Sequence, residues 1–268
     1  PENPLKLLLL HGVGLTWATW RQVVPALAPQ TDCVAIDLLG HGRSSAPRAA
    51  DVTVAGQTAV LDALFDALGW RQVVVVGHSM GGGVALGAAL QQPARVRALV
   101  LVGSIGYPQR VPPFFWPFHL PGTAELLSLL VRAGLPLGLN RYLSRYYGYD
   151  PIASADFLET YRAPQVTRAF ARAVRGLVPS KFGRFAAFFP QIHTPTLIVH
   201  GERDDIVPLH VPRRLHETLP NNQLVWIRGG HHIPQETHPV QVARAMGDFL
   251  RRLESGADGE RPRHHDGH

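Results

Sequence analysis

Three groups of residues in this chain have the types and spacing for nucleophilic chemistry. Ser79 stands in Gly77-His78-Ser79-Met80-Gly81, directly after the apolar run Val73-Val74-Val75-Val76 and before the small-residue stretch that starts at Gly82. A serine with glycine two positions away on each side, between a buried strand and a helix, reads as a nucleophile elbow. Glycine is needed at 77 and 81 because so sharp a turn brings neighbouring backbone against any side chain. A serine hydroxyl attacks only when a base takes its proton and an acid orients that base. The acid is expected at Asp204 in Gly201-Glu202-Arg203-Asp204-Asp205, with Asp205 as its rival. A helix cap before 208–219 is the structural alternative for Asp204, and Asp37 reads as a turn residue. The base is expected in Gly229-Gly230-His231-His232-Ile233-Pro234, after the last apolar strand. His231 follows the glycine pair, which lets the backbone turn its imidazole inward, so His231 is taken as the base. His232 is then a wall residue facing substrate.

Acyl transfer also requires donors for a developing oxyanion. The N–H of Met80, just past the serine, is one. The N–H of Val13 in His11-Gly12-Val13-Gly14 is the other, since glycines at 12 and 14 allow close backbone approach. That loop lacks the G-x-G-x-x-G spacing of a dinucleotide site. The adjacent histidines 231 and 232 carry no further metal-ligand motif, and neighbouring residues point apart. His264, His265 and His268 form an incidental tail cluster. Neither a metal nor a cofactor is expected.

These groups need a scaffold that delivers them to one place. Leu5–Leu10, Cys33–Asp37, Val73–Val76, Ala98–Val102, Thr196–His200 and Leu224–Ile227 read as strands. Helical patterns cover 20–27, 53–68, the stretch after Ser79, 212–219 and 240–253. Apolar strands alternating with amphipathic helices predict an α/β fold, a mostly parallel, doubly wound sheet of about six strands covered on both faces. Working groups in such sheets collect beyond the carboxyl ends of the strands, which is where each candidate lies.

The chain has 268 residues, 46% hydrophobic and 17% charged, with a net charge of +6. That length suits one large domain or a domain with a sizeable insertion. No apolar run approaches the ~18 residues of a membrane span. Cys33 is the sole cysteine, which excludes an internal disulfide, favours a reducing, cytoplasmic setting and reads as a buried, inert thiol. The chain opens on Pro1-Glu2-Asn3-Pro4, without a Met, so secretion through an upstream leader stays open. From Ser104 to Pro190 there are ten Arg/Lys against four Asp/Glu, and all six Tyr. This segment is compositionally distinct, so the expected division is a core of 1–103 and 191–254, a helical insertion of 104–190 and a flexible tail of 255–268. Arg168, Arg172 and Arg175 recur at helical spacing and read as a solvated face. Charge alone, without a recognised motif, does not indicate nucleic-acid binding.

With these motifs in this order, the chain resembles α/β-hydrolase-fold serine hydrolases that carry a cap, of the esterase and lipase kind. His11–Gly14 resembles their oxyanion loop, 37–44 the loop after the next strand, Gly77–Gly81 the elbow, Gly201–Asp204 the acid turn and Gly230-His231 the histidine loop. The resemblance covers about residues 5–253 and is weakest across the insertion. It implies ester hydrolysis through an acyl-enzyme on a small-molecule substrate, with the insertion as a helical cap. Phe114, Phe115, Trp116 and Tyr146 then line an apolar acyl pocket, other aromatics form the cap's own core, and a basic aromatic cap can contact an interface. Family members usually have two strands before the one ending at the oxyanion loop, and the resemblance implies that this hairpin is missing here. Members with Asp at the elbow attack alkyl carbon, which Ser79 excludes. Carbon–carbon bond hydrolases of ring-cleavage products are the alternative, as are acyl transfer and perhydrolysis with the same triad. Carbon–carbon hydrolases of this family usually have Asn before the nucleophile and Trp after the histidine, where this chain has His78 and His232.

Overall fold

The computed structural model describes residues 4–45, 47, 49–110, 113–133, 161–177 and 184–256. Among them, six strands form one sheet: β1 (Leu5–Leu10), β2 (Thr31–Ile36), β3 (Val73–His78), β4 (Val96–Val102), β5 (Thr196–Gly201) and β6 (Asn222–Ile227). Their spatial order is β2-β1-β3-β4-β5-β6 and every pairing is parallel. The chain therefore moves outward from β1 to β2, then crosses back to place β3 on the other side of β1. The reversal opens a crevice between the carboxyl ends of β1 and β3, where ligands of open α/β sheets bind.

Side-chain alternation divides the core in two. Leu8, Leu10, Val73, Val75, Leu99, Leu101 and Ile198 face one layer. That layer packs on α3 (Leu61–Ala67), α4 (Met80–Gln91) and α7 (His210–Thr218) through Phe65, Leu86 and Leu215. Leu7, Leu9, Val74, Val76, Val100 and Val199 face the other layer, against Trp20, Val23, Leu27 and the long helix α8 (Pro239–Ser255) through Met246 and Phe249. Strands buried on both faces read as continuous apolar runs, which is why they are legible in sequence. α4 is the exception to amphipathic helices. It is buried from Met80 to Ala89, on every face, as expected of a helix that crosses a core.

Local differences from the sequence reading have backbone causes. The helix expected over 20–27 is a 3-10 turn, Trp17–Trp20, followed by the single turn α1 (Val24–Leu27) with Pro25 in its first turn. The helix expected over 53–68 is two pieces, α2 (Val54–Ala59) and α3, broken at Val60, whose ψ of −8° leaves the helical range. Between β4 and β5, the described residues include the 3-10 segment Pro113–His119 and two helices, α5 (Thr123–Arg132) and α6 (Pro164–Gly176). Residues 257–268 of the expected tail lie outside the described residues. Among the described residues no helix is long and apolar enough to cross a membrane.

Candidate active site

The elbow concentrates backbone strain on one residue. Ser79 has φ 53° and ψ −114° and is the only described non-glycine residue with positive φ. Such a conformation costs roughly 1–3 kcal/mol and persists where the surroundings over-determine it. Those surroundings are visible: Ser79 N donates to Val102 O at 3.0 Å, and its carbonyl accepts from Gly82 N and Ile105 N at 3.0 and 3.2 Å. A Cβ at Gly77 would stand 2.2 Å from Gly81 O, and one at Gly81 would stand 2.5 Å from Leu10 O. Both glycines are therefore forced by close backbone approach, which is why the motif is so informative in sequence.

The imidazole that reaches Ser79 is that of His232, which corrects the expectation placed on His231. His232 Nε2 lies 3.1 Å from Ser79 Oγ, and His232 Nδ1 lies 2.9 Å from Asp204 Oδ2. A carboxylate only accepts, so Nδ1 carries the proton and Nε2 presents its lone pair to the serine hydroxyl. The glycine pair turns the chain one residue later than its position suggests. Gly229 takes φ 70°, while Gly230 N closes a tight turn onto Ile227 O and Gly230 O accepts from Arg203 N. Both glycines are thus occupied in the turn, and the second residue beyond it enters the site. His231 is half-buried, and His232 is not the wall residue expected.

Asp204 is held from several directions. Its Oδ1 accepts from Ile206 N at 2.9 Å and Val207 N at 2.8 Å, while Oδ2 faces His232. Asp205 is exposed, which separates it from its neighbour. Burial alone would raise the Asp204 pKa, but the His232 imidazole and the donors around the carboxylate outweigh it and lower it below the usual carboxylate value. The group is therefore an anion, suited to orient an imidazole and stabilise its protonated form.

The loop after β1 abuts the serine: a Cβ at Gly12 would stand 2.9 Å from Ser79 Cβ. Gly12 O accepts from Leu15 N at 3.1 Å and from His11 Nδ1 at 2.7 Å. Because a trans peptide sets C=O and N–H on opposite sides, the Val13 N–H points away from those donors. Met80, the first residue of α4, has an N–H that its own helix does not satisfy. His11 Nε2 accepts from Leu38 N at 2.9 Å, so one imidazole joins this loop to the loop after β2.

Three further buried histidines surround the site, and sequence reasoning assigned them no part in it. His78 Nε2 donates to His232 O at 2.9 Å. His200 Nε2 donates to Val207 O at 3.0 Å and lies 3.4 Å from Asp204 Oδ2. His41 Nδ1 donates to Leu39 O at 3.1 Å. Burial pushes His11 down to about 4, and His41 and His78 down to about 3, so all three are neutral near pH 7. His200 is lowered by the same cause. A strand-end position was the available signal for His78 and His200, since each ends a strand or lies one residue from its end.

The expected acyl-pocket residues divide. Phe115 is buried in a small cluster with Val131, Tyr161, Phe170 and Val174, against which Val13 also packs. Trp116 is 66% exposed and does not line an enclosed pocket, because its short 3-10 segment turns it outward. The Phe114 side chain and Tyr146 lie outside the described residues. Tyr161 Oη donates to Gly14 O at 3.2 Å, tying the segment between β4 and β5 to the loop after β1. The arginines expected on a solvated face are partly structural. Arg172 donates to Ala50 O and Pro47 O, Arg175 Nε donates to Phe118 O, and Arg168 lies 3.6 Å from Glu125. Cys33 is half-buried, with Thr31 Oγ1 3.2 Å from its thiol, and burial raises its pKa away from the thiolate. Among the described residues no group of three His, Cys, Asp or Glu side chains is placed to hold a metal ion.

Known proteins share this fold. Residues 6–239 match the family described as alpha/beta hydrolase fold. The 2-hydroxymuconate semialdehyde hydrolase of Pseudomonas sp. (strain CF600) is 32% identical, over 94% of this chain and 88% of its own length. The 2-hydroxy-6-oxo-2,4-heptadienoate hydrolase of Pseudomonas putida is 31% identical, over 92% of this chain and 89% of its own. Among solved structures, a thermophilic esterase from Thermogutta terrifontis superposes with a TM-score of 0.75 at 23% identity, covering 94% of this chain and 91% of that one.

Proposed function

The chain belongs to the alpha/beta hydrolase fold family, and from that premise we propose that it is a serine hydrolase of carboxylic esters acting through an acyl-enzyme. One observation carries the reading: the continuous relay from Ser79 Oγ through His232 to Asp204, with contacts of 3.1 and 2.9 Å. His232 takes the hydroxyl proton as Ser79 Oγ attacks the ester carbonyl carbon. The tetrahedral oxyanion is met by the N–H groups of Met80 and Val13. As it collapses, His232 returns the proton to the departing alcohol and Ser79 keeps the acyl group. Water then enters, gives a proton to His232 and attacks the acyl carbon; the acyl–Oγ bond breaks as His232 returns that proton to Ser79 Oγ, and the acid leaves. Asp204 remains an anion throughout, fixing the tautomer and stabilising the imidazolium. No step calls for a cofactor. The aromatic cluster around Phe115 and Phe170, packed beside Val13, favours apolar acyl or aryl groups, with the segment between β4 and β5 acting as a cap.

A second reading, carbon–carbon hydrolysis of ring-cleavage products, has a specific observation behind it, since two relatives above 30% identity are named a 2-hydroxymuconate semialdehyde hydrolase and a 2-hydroxy-6-oxo-2,4-heptadienoate hydrolase. The residues flanking the relay are His78 and, with the base at 232, Ile233. These are not the Asn and Trp that such enzymes usually have, and ester hydrolysis remains the better fit. A fluorophosphonate probe tests the shared premise: wild type is expected to label and Ser79→Ala is not. Equal labelling of both, or none of either, would sink the serine-hydrolase reading. Turnover of a p-nitrophenyl ester series beside a ring-cleavage dienoate separates the two reactions. Efficient dienoate cleavage with negligible ester turnover would overturn the choice of ester.

A further inference from the structure

The loop that carries the base has little backbone of its own to hold it. Among the described residues, its main-chain hydrogen bonds stop at Gly230, whose carbonyl accepts from Arg203 N, and resume at Ile233, whose carbonyl accepts from Glu236 N and Thr237 N. His231 and His232 lie between these ties. The His232 carbonyl is held instead by a side chain. His78 Nε2 donates to it at 2.9 Å. The Gly103 backbone, with φ 50°, also passes close, since a Cβ there would stand 2.9 Å from the same oxygen. The His78 and His232 rings also pack on one another, with centroids 4.9 Å apart and planes tilted by 51°.

We propose that His78 is a positioning residue, whose Nε2–H tie to the His232 carbonyl holds the base at the height and angle at which its Nε2 meets Ser79 Oγ. The proposal rests on the acyl-transfer reading for its consequence in catalysis. The physical logic is lever-like. His78 ends β3, the rigid strand that also delivers Ser79 one residue later, so nucleophile and base are referenced to the same strand end although they are 153 residues apart. A loop that drifted relative to β3 would lengthen the 3.1 Å contact on which proton transfer depends. Burial suits the task as well: with a pKa near 3, His78 is a neutral single donor and adds no positive charge beside an imidazole that must become protonated. Because that donor is engaged with the loop, it is not free to bind a substrate oxygen, in keeping with an ester rather than a dienoate substrate.

Side-chain geometry supplies the test. A Gln amide nitrogen reaches about as far as His Nε2, whereas an Asn amide nitrogen sits where His Nδ1 does and falls short of the carbonyl. The full chain is compared as wild type, His78→Gln, His78→Asn and His78→Leu. Two readouts are taken: kcat and KM on a p-nitrophenyl ester, and the proton NMR resonance of His232 Nδ1–H, assigned by its loss in His232→Ala. Misplacement of a reacting group by about 1 Å is worth about 100-fold, so His78→Asn and His78→Leu are expected to lower kcat by about 10- to 100-fold. KM should stay within about threefold, and the Nδ1–H resonance should broaden or disappear. His78→Gln should keep the resonance and stay within about fivefold of wild-type kcat. If His78→Leu does not fold, the Gln and Asn pair decides. The proposal is overturned if Gln performs no better than Asn, or if Asn and Leu keep both rate and resonance. Failure of wild type to label with fluorophosphonate is a different result. It removes the acyl-transfer reading, while the resonance comparison still decides whether His78 positions His232.

Discussion

Replacing Gly12 by Ala tests the oxyanion loop with a single methyl group. Gly12 has no positive φ, so the substitution strains no backbone conformation and acts through space alone. The new Cβ would stand 2.8 Å from His78 Nδ1, 2.9 Å from Ser79 Cβ and 3.1 Å from His78 Cε1. Ordinary contact lies near ~3.5 Å, so about 0.6 Å must be found. The obstacles cannot easily give way. Ser79 is fixed by the strained elbow, and the His78 ring is tied to His232 O and packed on the His232 ring. The loop itself must therefore retreat, and the Val13 N–H retreats with it. Loss of one oxyanion donor costs about 100- to 1,000-fold in kcat, so Gly12→Ala is expected to lower kcat on a p-nitrophenyl ester by about 100-fold, with KM little changed. Overpacking of this kind also costs about 1–3 kcal/mol of stability. Measurement well below the melting temperature, with folding checked by near-UV circular dichroism, separates the two effects. A folded Gly12→Ala variant with kcat within about threefold of wild type would refute both the rigidity ascribed to His78 and the donor role of Val13.

The remaining predictions bear on the relay and on stability. His232→Ala is expected to lower ester turnover by on the order of 10⁶-fold and His231→Ala by less than about fivefold, and the reverse order would overturn the assignment of the base. Asp204→Asn should keep its Oδ1 on the Ile206 and Val207 N–H groups and turn its amide toward His232. That forces the wrong tautomer, with a loss near 10⁴-fold in kcat and little change in folding, whereas an active Asn variant would argue that the carboxylate is dispensable. Ser79→Gly relieves a φ of 53° and is expected to raise the melting temperature by a few degrees, about 1–2 kcal/mol, while abolishing turnover; a lower melting temperature would contradict the strain. The depressed pKa values of His11, His41 and His78 set a sign for acid sensitivity. Each is lower folded than unfolded, so its contribution is complete above the unfolded value near 6.5 and is lost as pH falls through the folded values, about 4 for His11 and about 3 for His41 and His78. Unfolding there takes up about three protons, so stability from urea titrations should fall by on the order of 4 kcal/mol per pH unit below pH 6, and a flat profile from pH 7 to 5 would be inconsistent with buried neutral histidines.

What the sequence determined by itself was whatever local geometry leaves no choice about. Strands buried on both faces had to be continuous apolar runs, and β1 is legible to its last residue. The elbow was legible because Gly81 O blocks any side chain at 77 and Leu10 O blocks any at 81, so two glycines mark the turn wherever it occurs. Asp204 could be preferred over Asp205, but the separation is made by packing, which buries one and leaves the other in solvent. The loop of the base was legible, but the choice between His231 and His232 was beyond sequence reasoning. Neighbouring residues of one type differ only in where the loop between Ile227 and Ile233 turns, and that turn is set by Arg203 and by the walls around the His232 carbonyl, which come from strands far away in sequence. The role of His78 was hidden for the same reason, since its partner is 154 residues distant. Sequence specifies which groups a strand end can offer. Only the parallel packing of β3, β4, β5 and β6 decides which of those groups meet, because contacts across a sheet depend on strand order and register rather than on neighbours along the chain.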